Sequence, residues 1–437
     1  MDQGEVPTTN DAEQIKRKGV SFISPLAVIF ITVFIDLIGF GIVIPILPYY
    51  ANRFGATPFE GDMLFASYSI MQFIFAPILG QLSDRYGRRP LLFFSILGTA
   101  LGFLILGLAN SLWVLFAGRI FAGIMGANIS IAQTYVADVT TEENRAKGMG
   151  MIGAAFGLGF IFGPVIGGLL SAFGASVPFY FAAVLSLGNA ILLYFILPET
   201  VKPEFAAIKK YKNRFQVLAQ AFVNREFALV TLLYFLTITA FSIMTAAFTY
   251  YTMYRFSYDE QANGWLFAYI GLVSVIMQGG LIGILSKQFG EIWLTVAGCF
   301  ILVVALFLVP FVGPNSGGLY GLLGGMALFA VGNSISSPSL TSLSSKYAPR
   351  EEQGTTMGVF QSAASLARAV GPALAGVLLY SATAPQHIDD AALFRTFWTA
   401  AGIMFAAFLL SLYFVKTNGA GKIVEIHPQS AENTARS

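Results

Sequence analysis

The sequence predicts an all-α membrane protein of twelve transmembrane helices in two pseudo-symmetric halves of six. Three observations predict it. Hydrophobic residues make up 56% of the 437 and charged residues only 11%, with a mean hydropathy of +0.71, too apolar for one soluble core of this length. Apolar windows of about 20 residues, the length that crosses a bilayer, recur near 25–47, 62–82, 91–109, 111–137, 148–172, 178–197, 227–254, 262–286, 290–312, 317–345, 354–381 and 392–415. The second half also echoes the first: Met149-Gly150 returns as Met357-Gly358 and Gly163-Pro164 as Gly371-Pro372, both 208 residues on, as expected of a duplicated chain.

The chain divides into a polar tail (1–24), a six-helix bundle (25–197), a linker (198–226), a second bundle (227–415) and a tail (416–437). The linker carries Lys209, Lys210, Lys212 and Arg214, and 204–223 reads as an amphipathic helix on the membrane surface. Of the 25 lysines and arginines, 20 fall in the termini or even-numbered connections. Arg53, Arg255 and Arg395 fall on the other face, and Arg119 and Arg368 lie inside helices. The positive-inside rule therefore puts both termini in the cytoplasm. A net charge of +2 spread along one membrane face implies no nucleic-acid partner. Cys299 is the single cysteine, in an apolar segment, so no internal disulfide forms. The first 24 residues contain no apolar stretch, so no cleavable signal peptide is expected. The one glycosylation sequon, Asn128-Ile129-Ser130, is inside the fourth segment, which favours a bacterial inner membrane.

Taken in order, the first segment contains Asp36 halfway along an apolar run. A carboxylate there costs about 3 kcal/mol on insertion scales, so it is paired, protonated or facing water. Burial and a nearby cation pull a carboxyl in opposite directions, the tuning a proton carrier needs; a permanent salt-bridge partner that never titrates is the alternative. The two histidines, His387 and His427, lie outside the segments, leaving Asp36 as the best carrier. Arg119, in the fourth segment, is its natural partner, because a guanidinium stays charged and forks onto a carboxylate. Between the second and third segments, Gly80, Asp84, Arg85, Gly87, Arg88, Arg89 and Pro90 form a polar hinge. Gly80 leaves space for a neighbouring helix, Gly87 permits a positive φ and Pro90 suits a first helical turn. Asp138 closes the fourth segment within reach of the hinge arginines.

In the fifth segment Gly159, Gly163 and Gly167 recur every four residues, a groove for close helix packing, with Pro164 and Gly168 beside them. The second hinge keeps Gly283, Ser286 and Gly290 but has Lys287 and Glu291 where the first has Asp84 and Arg88, so its charge pattern is lost. Gln72, Asn128, Gln133, Gln278, Asn333 and Gln361 are polar groups inside segments. They either bond between helices or line a cavity. Tyr234, Phe241, Met244 and Phe248 in the seventh segment either line an adaptable apolar cavity or pack. Arg368 is a cavity residue or an interhelical tie.

Several of these strings carry a family likeness. Gly80-Gln81-Leu82-Ser83-Asp84-Arg85-Tyr86-Gly87-Arg88-Arg89-Pro90 resembles the loop signature of the major facilitator superfamily between its second and third helices, and Pro198-Glu199-Thr200 resembles the end of its first half. The resemblance implies two six-helix bundles around a central cavity, worked by alternating access. It also implies a latch of Asp84, Asp138 and the hinge arginines that shuts the cytoplasmic gate. Arg119 through Ala127 resembles the helix 4 motif of proton-coupled members, in which the arginine is implicated in proton transfer. Gly159, Gly163, Pro164, Gly167 and Gly168 look like the helix 5 signature of exporters that exchange drug for proton. Asp36 with Gly39, Gly41, Pro45 and Pro48, and Gly118-Arg119 through Tyr135-x-Ala137-Asp138, are similar to the tetracycline efflux proteins. One departure counts against tetracycline itself: Gly102 stands where those proteins carry an acidic residue important for drug transport, and the ninth segment has no internal acid.

The implied function is a monomeric, proton-coupled secondary exporter of small lipophilic or amphiphilic compounds, with small-molecule substrate, protons and the bilayer as partners. It needs no cofactor beyond the proton gradient. No nucleotide loop, metal cluster or nucleophile–base pair suggests an enzyme. A facilitator or proton symporter importing a sugar or organic acid would share the fold, and a non-transporting receptor or scaffold is the third class.

Overall fold

The computed structural model describes residues 24–140, 142–200, 224–347, 353–380 and 388–418. Both tails and most of the linker, including the amphipathic helix expected at 204–223, lie outside them. The first half comprises α1 (Pro25–Arg53), α2 (Pro58–Tyr86), α3 (Arg88–Gly107), α4 (Leu112–Met125 and Asn128–Val139), α5 (Glu142–Ser171) and α6 (Val177–Ile196). The second comprises α7 (Arg225–Phe256), α8 (Glu260–Ile276, continuing through a π-helical turn, Met277–Leu281, to 289), α9 (291–308), α10 (Gly318–Tyr347), α11 (Gln353–Leu379) and α12 (Asp390–Asn418). The α8–α9 stretch is helical almost without a break, but Gly290, at φ 76° and ψ 156°, folds it into two spans. The chain is an integral membrane protein of twelve spans.

Local chemistry sets several helix ends. Thr57 and Glu60 form a reciprocal capping box, with the Glu60 carboxylate 2.8 Å from the Thr57 amide, so α2 starts at Pro58. That start is four residues earlier than hydropathy suggests, and it carries Asp62 inside the helix. At the other end the polar hinge shrinks to a single residue, Gly87, at φ 109°, which terminates α2 and starts α3. No described atom lies within 4 Å of a Cβ built on Gly80, so the helix contact expected there is absent among the described residues.

Buried apolar side chains form two cores in the first half, one around Ile42, Phe103 and Phe179 and one around Leu37, Ile96 and Tyr135, and a larger one around Met244, Phe248 and Phe360 of the second half that also takes in Ile44 of α1. The halves meet where small residues let backbones approach. A Cβ on Gly168 of α5 would lie 3.0 Å from the Gly264 Cα of α8, and one on Gly376 of α11 would lie 3.1 Å from the Asp62 Cβ of α2.

These meeting points lie toward the face opposite the hinges. The buried residues of α2 are Pro58, Gly61, Asp62, Leu64, Phe65, Ala66 and Ser69, then only Ser83, and α8 buries Asn263, Gly264, Leu266, Phe267 and Gly271 at the same end. Toward the basic, hinge-bearing face, nearly all of 276–289 is exposed or half-buried. Among the described residues the halves are therefore joined at the opposite face, and this stretch of α8 is left open toward the basic one. Tyr49 of α1 bolts the join: its hydroxyl donates to the Tyr258 carbonyl at 2.6 Å and accepts from Asn263 at 2.7 Å, while Arg53 pairs with Glu260 at 2.9 Å.

Candidate functional site

The site grows from a fault in α4. The backbone leaves the helix at Gly126 and Ala127, freeing carbonyls that need partners in a membrane. Gln72 of α2 donates to the Gly126 carbonyl at 2.8 Å, and Ser95 of α3 donates to that of Met125. The second segment opens on Asn128, whose side-chain nitrogen donates to Asp36 Oδ1 at 2.7 Å and to Thr99 Oγ1 at 3.2 Å. Asp36 is half-buried. Its partner is thus a neutral amide, where an arginine is the partner that sequence reasoning expects.

Arg119 lies elsewhere. It is 2% exposed, donates Nε–H to the Leu64 carbonyl at 3.2 Å and stacks 4.3 Å from the centre of the Tyr68 ring. No ion pair joins it to Asp36 among the described residues, because the α4 break turns Asn128, nine residues on, toward α1 instead. The Tyr68 ring then leads across the molecule. Phe40, one turn along from Asp36, contacts Tyr68 and Phe160; Phe160 meets Phe241 of α7, and Phe241 stacks 5.7 Å from Phe329 of α10. Half-buried Phe40, Tyr68, Phe160 and Phe241 line the interior.

Around this interior the glycines of α5 bring it against α1. A Cβ on Gly163 would lie 2.6 Å from the Gly41 Cα and 2.7 Å from the Ile38 carbonyl, and one on Gly167 would lie 3.2 Å from Ile42. At the basic face, Arg88 is 5% exposed and gathers the hinge: it pairs with Asp84, meets Asp138 at 3.1 Å and donates to Ser83 at 2.6 Å. Glu199 caps α3 by accepting the Arg88 and Arg89 amides at 2.9 and 3.0 Å. Arg89 donates to the Tyr194 carbonyl, and Arg85 lies over the Tyr86 ring.

The model of the Major Facilitator Superfamily matches residues 29–372 and 322–431. The chain belongs to the major facilitator superfamily. The class H tetracycline resistance protein of Pasteurella multocida is 31% identical over 408 residues, 92% of this chain and 98% of that one. Multidrug resistance protein 2 of Bacillus subtilis is 30% identical, covering 79% and 86%. Among solved structures, the human organic anion transporter MFSD10 (TETRAN) superposes with a TM-score of 0.68 at 25% identity, covering 88% and 98%. The protein is a membrane transporter of this superfamily.

As a facilitator-superfamily chain it departs from expectation at named places. Met244 and Phe248 are 1% and 0% exposed, and Tyr234 is 7% exposed and stacked 4.0 Å from Phe360 of α11; these pack in the second-half core, Phe248 against Phe267 of α8. Gln72 and Asn128 tie the α4 break together. Gln133, Gln278, Asn333 and Gln361 are half-buried. Arg368 is half-buried, donates to Ser365 at 3.1 Å and faces Tyr68 and Tyr234. The hinge latch lies within the first half, where Arg88 joins Asp84 and Asp138. Gly102 is packed so that a Cβ would lie 2.7 Å from the Ala122 Cβ, leaving no space for an acid.

Sequence reasoning missed Asp62, Thr99, Phe40, Tyr68 and Phe160. The Thr57–Glu60 capping pattern would have brought Asp62 into the helix, and the four-residue step from Asp36 would have found Phe40.

Proposed function

We propose that this transporter is a proton-coupled exporter of small lipophilic or amphiphilic compounds, working by alternating access from the bacterial inner membrane as a monomer. On this reading the basic face is cytoplasmic, the opposite face is extracellular, and the structure described is the inward-facing state. The observation that carries the reading is the Asp36–Asn128 contact. A carboxylate paired with a guanidinium is locked in its charged form, whereas one held by a neutral amide loses less by taking up a proton.

The coupling then follows from the geometry. In the outward-facing state Asp36 takes a proton from outside, and the neutralised site returns inward. There, substrate entering beside the aromatic line competes with the proton, which leaves to the cytoplasm. Arg119 positions Tyr68, and the α5 glycines hold α1 as the bundles tilt. The names of the tetracycline and multidrug resistance relatives support export, while the filled position at Gly102 argues for compounds other than tetracycline. Arg368 supports a second reading, an amphiphilic organic anion as substrate, because it presents a guanidinium to the interior.

An efflux and susceptibility panel in a pump-deficient host, wild type beside Asp36→Asn, tests the proposal. Inverted vesicles of the variant should lose substrate-dependent proton movement. Full retention of coupling in Asp36→Asn would remove it from the mechanism.

A further inference from the structure

The opposite face holds a carboxyl group that the coupling site does not use. Asp62 sits one turn into α2, is 0% exposed, and neither of its carboxyl oxygens has a hydrogen-bond partner among the described residues. Its walls come from both halves. Gly376 of α11 backs it closely, and Tyr250 of α7 presses its hydroxyl against the adjoining Gly61.

The charged and titratable groups around it are committed elsewhere or neutral. Glu60, on its own helix, caps Thr57. Tyr250 faces it from α7, its hydroxyl against Gly61, and α11 presents Gly376. Arg119 of α4 is bound to the Leu64 carbonyl, Arg53 at the end of α1 to Glu260, and Arg395 of α12 to the Leu378 carbonyl at 2.9 Å. An ionised carboxylate sealed between helices without donor or cation is far less stable than the neutral acid, a preference that vanishes once water reaches it.

We propose that Asp62 is a proton-binding group of the extracellular gate. Closure between α2, α7 and α11 holds it as the neutral acid, and opening hydrates it and releases its proton to the outside. This rests on the alternating-access reading above for the two states and their sidedness. Because the proton enters and leaves on one side, Asp62 carries nothing across the membrane. It instead makes closure answer to external pH. The closed state binds one proton more than the open state, so acid outside favours closure, by up to about tenfold in the closed-to-open ratio per pH unit.

The test uses the full-length protein in liposomes, with Cys299→Ala and spin labels at Phe173→Cys and Tyr320→Cys, which are exposed positions on the opposite face in different halves. The label separation should lengthen as the external buffer is made alkaline. Asp62→Asn should abolish that pH response, leaving one separation at every pH, while keeping substrate-coupled proton movement, which Asp36→Asn loses. An unchanged pH response in Asp62→Asn overturns the gate assignment and leaves the Asp36 reading standing. Loss of coupled proton movement in Asp62→Asn also overturns it, by putting Asp62 on the coupling route. Infrared spectra of the unlabelled protein give a second reading: a protonated-carboxyl stretch that survives Asp36→Asn and disappears in Asp62→Asn is expected, and its absence from wild type refutes the proposal.

Discussion

Glu291 lies 2.6 Å from Lys346 at the basic end of the second half, where Arg88 and Asp138 lie 3.1 Å apart in the first. Lys346 is 208 residues beyond Asp138, the same offset that relates the glycine-proline pairs. The glycines before the two pairs, Gly87 and Gly290, share a positive φ of 109° and 76°. The second hinge has therefore kept its ion pair with the signs exchanged. Each pair fastens a hinge to the end of a neighbouring helix within its own half.

Exchange of the second pair should be tolerated. Lys346→Glu alone sets two carboxylates together and should lower transport, while Glu291→Lys with Lys346→Glu should restore it. Lys346 is more than half exposed, so the coupling measured by a double-mutant cycle should stay below about 1 kcal/mol, about fivefold in rate or equilibrium.

Loss of the amide beside Asp36 should uncouple transport with the carboxyl still present. Asn128→Leu removes the donor to both Asp36 and Thr99 and should cost at least about tenfold in substrate-driven proton movement, since a hydrogen bond to a charged group contributes about 1.5–3 kcal/mol. Fluorescence quenching in inverted vesicles measures it, and Asn128→Gln, which keeps the donor, should lose less.

Arg119→Lys should fail although it keeps the charge. The planar guanidinium both bonds the Leu64 carbonyl and stacks on Tyr68, and an ammonium cannot do both. Transport should fall about tenfold or more with the protein still correctly inserted, as judged by its yield and melting temperature.

Two glycines on α5 should differ sharply. Gly163→Ala drives a methyl into the α1 backbone, which cannot retract, and should cost about 1–3 kcal/mol of stability. Gly157→Ala has no described atom within 4 Å and should be neutral or slightly stabilising. Thermal unfolding in detergent compares them.

Tyr49→Phe should loosen the closed face opposite the hinges. It strips the Tyr258 carbonyl of its donor and the Asn263 amide of an acceptor, a loss of about 1–3 kcal/mol from the closed state alone. In a Cys299→Ala background, a cysteine introduced at buried Ala51, beside the join, should label about fivefold or more faster with Tyr49→Phe than with Tyr49 in place.

Sequence alone determined the twelve spans, their duplication, the facing of the basic connections, the lone mid-segment carboxyl at Asp36 and the glycine groove of α5. All of these follow from hydropathy summed over a window or from short strings whose chemistry is local. Only the tertiary structure decided that Asp36 meets Asn128 and not Arg119, that α4 breaks at Gly126 to allow it, that Met244 and Phe248 face the core, and that Asp62 is sealed between the halves. Those outcomes depend on how far each helix is rotated and sunk against its neighbours. That is set by backbone contacts between small residues such as Gly41 with Gly163 and Gly168 with Gly264, pairs far apart in the chain whose meeting no hydropathy window registers.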